Sequence, residues 1–277
     1  VYDFRKDRWS IDHWIRGGCI YGTMPANGML YTPPHACACY YQSKLNGFNA
    51  VTPVAQSADA PPASARLAKG PAYGTWDDPS EDSPADWPVF RHDNARSGYA
   101  RTEVPADLSL AWSRRLGGKL SQPVAVGGRL YLAAVDEHTL FALDAASGRE
   151  HWHFVAGGRI DSPPTVYRGL ALFGSADGRV YCLRAADGKL VWRFLAAPND
   201  CRIAYFDQIE SVWPVHGSVL VLNGVAYVTA GRSTYLDGGI RIYGLDPFTG
   251  NLLYKTTLEG PFPDRKNNRD YGFYVLG

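Results

Sequence analysis

The chain has 277 residues, with 28 Lys and Arg against 27 Asp and Glu for a formal charge of +1, 45% apolar and 13% aromatic side chains, 29 Gly and 19 Pro. That balance excludes a strongly basic nucleic-acid binder and an acidic disordered tail. No apolar run approaches the ~18 residues of a membrane-spanning helix, and abundant Gly, Pro and aromatics with almost no Met predict short strands and many turns.

The first residues, Val1 to Trp9, are charged rather than apolar like a secretory signal, and the segment reads as soluble. Gly28-Met29-Leu30-Tyr31 and Gly47-Phe48-Asn49-Ala50 read as strands, so residues 1–54 are expected to form one blade-like unit with a long hairpin from Thr32 to Asn46. Within that hairpin His35, Cys37 and Cys39 alternate and point to one side of an extended chain, and a turn near Ala26-Asn27 brings Cys19 opposite. Three fates are open for this cluster. A disulfide in an oxidising compartment is the more general expectation; a tetrahedral Cys₃His site for Zn²⁺ and buried free thiols are the others. Residues 55–85 are rich in Ala, Pro, Ser and Asp and read as a linker or surface excursion.

Residues 86–277 carry a repeat. Phe141 to Trp152, Tyr181 to Trp192 and Tyr243 to Tyr254 align, and the closing aromatics Trp112, Trp152, Trp192 and Tyr254 are spaced 40, 40 and 62 residues apart. Pro123–Val126, Leu130–Ala134, Leu140–Leu143 and Glu150–Val155 make four short strands in one 40-residue unit, the pattern of a β-propeller blade. Each copy ends on a turn, Asp144 to Gly148, Arg184 to Gly188 or Asp246 to Gly250, whose glycine supplies positive φ before the aromatic returns onto a neighbouring blade.

In a four-stranded meander the turn after the second strand and the crossover to the next blade share one face. The 22 extra residues of the third unit divide into 16 in its crossover and six in the hairpin at Gly231–Gly239, so both insertions decorate that face. The crossover offers Arg202, Asp207, Glu210, Trp213 and His216 as candidates to hold a ligand or partner, and Asp161, Ser162 and Arg241 lie at neighbouring rim positions. Cys182 occupies a packing position of its repeat. A new strand, Tyr271 to Leu276, begins just before the last residue, so the expectation is a fragment of a longer chain holding part of a ring.

Ala142 to Trp152 fits the tryptophan-docking pattern A-x-D-x-x-[TS]-G-x-x-x-W, and Asp86-Trp87-Pro88-Val89-Phe90-Arg91-His92-Asp93-Asn94-Ala95-Arg96-Ser97-Gly98 resembles the lead-in that precedes the first blade of PQQ-like, quinoprotein-type propellers. The resemblance implies an all-β propeller of four-stranded antiparallel blades in an incomplete ring, similar to outer-membrane assembly lipoproteins. On that basis the expected role is a non-catalytic, extracytoplasmic scaffold presenting a loop-rich face to a protein or small-molecule partner. The alternatives are a fragment of a PQQ-dependent dehydrogenase with PQQ and Ca²⁺, and a metal-binding module at the Cys/His cluster. Adjacent cysteines, a C-x-x-C-H haem site and D-x-D-x-D-G calcium loops are all missing from the sequence.

Overall fold

The computed structural model describes residues 2–5, 7–9, 21–33, 48–51, 61–76, 83–205, 208–234 and 237–259. The chain starts with a two-stranded pair, β1 (Tyr2–Asp3) with β2 (Arg8–Trp9), and a three-stranded antiparallel sheet of β3 (Met24–Ala26), β4 (Met29–Thr32) and β5 (Asn49–Val51). A single helical turn, α1 (Ala63–Arg66), leads into β6 (Leu67–Lys69).

Three blades follow. The first is β7 (Val124–Val126), β8 (Arg129–Ala134), β9 (Thr139–Asp144) and β10 (Glu150–Val155), and the second is β11 (Thr165–Tyr167), β12 (Leu170–Gly174), β13 (Arg179–Arg184) and β14 (Leu190–Leu195). A hairpin of β15 (Arg202–Tyr205) and β16 (Gln208–Ser211) separates them from the third, β17 (Leu220–Leu222), β18 (Val225–Ala230), β19 (Ile240–Leu245) and β20 (Leu252–Leu258). Each blade is an antiparallel meander, as tight turns between short β-branched and aromatic runs require. The fold is therefore all-β, built of propeller blades that do not close into a ring among the described residues.

Two departures from the sequence reading stand out. Part of the stretch read as a linker or excursion forms β6, which pairs with β14 as a fifth strand of the second blade. The second crossover, read as a loop, contains the β15–β16 hairpin, in register from Arg202↔Ser211 to Tyr205↔Gln208.

The blades are joined by the closing aromatics. Trp112, Trp152 and Trp192 donate their indole N–H to the carbonyls of Ala145, Ala185 and Pro247, each at 3.0 Å and each on the turn of the next blade. In all three blades the register slips by one residue just before the aromatic, at Glu150/Trp152, Cys182/Leu183 and Gly244/Leu245. This bulge twists the outer strand and re-aims its aromatic side chain.

The turn itself is locked from within. Asp144 Oδ1 accepts from Ser147 N–H at 2.8 Å and Asp246 Oδ1 from Thr249 N–H at 2.8 Å. In the second blade Arg184 takes the place of that aspartate, and Asp187, three residues on, receives its guanidinium at 2.8 Å. Tyr254 holds the register of Trp152 and Trp192, yet it is 59% exposed and lies beside Gly244 of its own blade.

Residues 87–96 lace the inner strands together. Trp87 bridges Ala125 of β7, the amide of Val166 in β11 donates to Pro88 O at 2.8 Å, and Asn94 Nδ2 donates to Val221 O of β17 at 2.7 Å. The apolar core lies in two clusters at the blade junctions, one around Tyr131, Trp152, Phe173 and Tyr181, the other around Trp192, Phe194, Val228 and Tyr243.

Gly188 has φ +72°, and a Cβ there would stand 2.6 Å from the Trp152 indole, whereas Gly128 has φ +73° with nothing within 4 Å. Gly188→Ala is expected to lose about 2–4 kcal/mol in urea unfolding, combining strain with overpacking. Gly128→Ala, which carries strain alone, is expected to lose about 1–2 kcal/mol. Equal losses would show that the indole contact adds nothing.

Candidate functional site

The inserted elements meet on one face because the meander returns to that side twice per blade. Arg159, Asp161 and Ser162 lie in the crossover from the first blade to the second, and Glu210, Trp213 and His216 in the next crossover. Asp177 lies in the β12–β13 hairpin and Arg232 in the β18–β19 hairpin.

At the centre is a buried ionic chain. His216 Nδ1 is 2.5 Å from Asp161 Oδ2, and Arg159 Nε donates to Asp161 Oδ1 at 2.7 Å. The same guanidinium reaches Glu210 Oε2 at 3.1 Å, and Arg232 contacts the other Glu210 oxygen. Glu210 is 1% exposed, and two guanidinia flank its carboxyl group, the pairing that a buried acid of this kind requires. Arg232 also donates to Val212 O at 2.8 Å and lies 4.8 Å from the Tyr205 ring. Burial lowers its pKa to about 10, which still leaves it charged at neutral pH.

A second group surrounds Asp177. The Tyr181 hydroxyl donates to Asp177 Oδ2 at 2.5 Å, and Arg179 N–H donates to Oδ1 at 3.0 Å. Burial first, and then the charge of Asp177, push the Tyr181 phenol well up, so it remains a donor.

The β15–β16 hairpin is held by all three blades. Gln208 meets His138 of the first blade at 2.9 Å, Ser211 N–H donates to Ala176 O of the second at 2.7 Å, and Glu210 pairs with Arg232 of the third. Its outer surface presents Ile209, 63% exposed. Arg202 sits on the hairpin at the rim, paired with Asp200 at 3.0 Å and apart from the buried chain. Trp213 Nε1 donates to Asp237 O at 2.7 Å, and its ring lies 5.2 Å from the Arg241 guanidinium.

Of the residues singled out from the sequence, Glu210, His216 and Asp161 come together, Trp213 and Arg241 form a neighbouring pair, and Asp207 lies outside the described residues. Sequence reasoning missed Arg159 and Arg232. Each follows glycine in an inserted or connecting segment of this face, and that placement was the available signal. Cys19, His35, Cys37 and Cys39 also lie outside the described residues; Cys182 is buried in the core and Cys201 is exposed, both as free thiols.

Among the described residues of this face, Asp161, Glu210 and Asp177 do not fit as ligands of a Ca²⁺ or quinone centre. Asp161 and Glu210 are taken by His216, Arg159 and Arg232, and Asp177 by Tyr181 and Arg179. No group of three or more His, Cys, Asp or Glu side chains is placed to hold a metal ion among the described residues. Elsewhere, a cleft of about 710 Å³ opens between the lead-in and the inner strands, lined by Asp86, His92, Asp93, Thr165 and Tyr167 among others.

Burial alone would raise the Asp161 pKa, but His216 and then Arg159 outweigh it and hold the carboxyl well below its usual range. A native pKa below the unfolded one gives stability that is complete above about pH 5 and lost as pH falls toward the native value. The urea midpoint is expected to drop between about pH 5 and pH 3, and Asp161→Asn to flatten that drop while lowering stability at pH 7. Parallel curves for the two proteins would show that this pair does not couple to folding.

Residues 102–268 match the family described as outer membrane protein assembly factor BamB. No curated protein sequence matches the chain. Among solved structures, the quinohemoprotein alcohol dehydrogenase ADHIIG from Pseudomonas putida HK5 is similar at 18% identity and TM-score 0.51, over 63% of this chain and 27% of that one. A europium-containing methanol dehydrogenase is similar at 20% identity and TM-score 0.52, over 65% of this chain and 33% of that one. The chain thus spans a third or less of the length of these enzymes, and the likeness is one of fold.

Proposed function

Because the chain belongs to the PQQ-type repeat family described as outer membrane protein assembly factor BamB, we propose that it is a non-catalytic, extracytoplasmic propeller scaffold whose loop-rich face binds a protein partner. The observation that carries this reading is the β15–β16 hairpin. It is pinned to all three blades by Gln208, Ser211 and Glu210, yet it turns Ile209 and Arg202 outward. A preorganised platform with an exposed apolar residue and a rim charge suits protein recognition, because little ordering entropy remains to be lost on binding. The ionic chain beneath it supports the same reading, since its acids and bases are spent on each other rather than turned toward a substrate. No helix among the described residues is long and apolar enough to cross a membrane.

A photo-crosslinking residue at position 209, in the full protein in its own cells, is expected to yield one discrete adduct. The same residue at Ala146, exposed on the opposite docking-turn face, is expected to yield none. Equal labelling at both positions would count against the platform. Saturable PQQ binding with Ca²⁺ and alcohol-dependent dye reduction by the purified protein would replace the scaffold reading with the dehydrogenase one.

A further inference from the structure

The three blades differ at their outer edges. No further strand pairs with β10 or β20 among the described residues, whereas β14 carries β6. The register is Trp192↔Lys69, Arg193↔Ala68 and Phe194↔Leu67. Beyond it Gly70 N–H donates to Val191 O at 2.8 Å, and Ala72 N–H to Leu190 O at 3.0 Å.

The side chains of this strap match what they meet. Arg66 donates to three carbonyls of the chain around and beyond the end of β14, those of Leu195 at 2.9 Å, Ala197 at 2.8 Å and Pro198 at 2.9 Å. At Gly70 a Cβ would stand 2.1 Å from Leu190 O, so the strap passes there only without a side chain. Ala72 is fully buried. Trp76 stacks on Phe248 of the third blade's turn, with ring centroids 5.7 Å apart and planes within 9°. The contacts thus span the edge of one blade and the docking turn of the next.

We infer that the outer edge of the second blade, with the Phe248 turn beside it, is a strand-acceptor site for an extended peptide, and that residues 66–76 fill it as an internal ligand. Main-chain bonds along β14 supply sequence-independent affinity, and the pockets read side chains. The peptide class follows from the occupant: Arg followed by an aliphatic residue, glycine four residues after the Arg, a small residue at the sixth and an aromatic at the tenth. Tethered in the same chain, the strap acts at an effective concentration on the order of millimolar, so a free peptide enters only when the strap is out.

The test uses the full chain and a fluorescein-labelled synthetic peptide of residues 61–76. Gly70→Val in the chain drives its own strap off Leu190 O. Fluorescence anisotropy is then expected to show saturable peptide binding to the variant and at least about tenfold weaker binding to the wild type. A peptide carrying the same Gly70→Val change is expected not to bind. If the variant loses its near-UV circular dichroism, a chain with Arg66→Ala and Trp76→Ala, which loosens the strap without a clash, takes its place. Absence of binding to a folded, strap-displaced chain, or equal binding to it and to the wild type, overturns the proposal. So does amide exchange at Gly70 and Ala72 of the wild type as fast as in the free peptide.

Discussion

An indole laid on a glycine turn holds consecutive blades together. Each blade is a small sheet that cannot bury its own faces, so the fold exists only where neighbours stack. The bulge before Trp152 or Trp192 aims the ring, the glycine at position 188 or 250 makes room for it, and the turn carbonyl takes its N–H. Geometry is more conserved among the turns than chemistry is: Arg184 and Asp187 form an ion pair that braces the second turn, where an aspartate accepting backbone amides braces the other two. What persists is the glycine, because a Cβ at any of the three positions would lie within 3 Å of an indole carbon.

Stacking fixes the blades at one side and leaves their connections free to vary at the other. There the chain buries charge instead of apolar surface. Glu210 between Arg159 and Arg232, and Asp161 between Arg159 and His216, replace the hydration that those groups lose. Loss of one member of such a chain leaves a buried polar group without its partner, which is costly. It makes a long insertion as well positioned as a core strand, which is what separates a platform from a loose loop.

The outer edges raise a different demand. An unpaired edge strand is open to any other chain, and proteins cover, charge or twist such edges. Here the second blade borrows a strand from a segment before the first blade, and the borrowed strand also reaches the third. The lead-in does something similar inside, crossing the inner strands of all three blades in ten residues. Both segments add turns of their own, but their bridging and strand pairings come from the blades.

That difference sets how far the sequence could be read. The 40-residue period, the strand count, the glycine turns and the one-sided insertions were legible because each is a local pattern of apolar alternation and turn residues repeated along the chain. Glu210, His216 and Asp161 could be nominated from the same reasoning, as polar residues in segments that topology gathers on one face. Arg159 and Arg232 lie in the same segments, but their pairing was not legible, because a guanidinium in a loop looks the same in sequence whether it faces water or a buried carboxylate 51 or 22 residues away. The β6 strand was illegible for the same reason: Leu67-Ala68-Lys69 has no alternation strong enough to make a strand alone, and becomes one only against β14. By itself, then, the sequence determined the repeating unit, since that unit is written in short-range contacts. Only the tertiary structure decided which charges pair, which edge is covered and which linker becomes a strand, because those outcomes depend on long-range partners that no local pattern encodes.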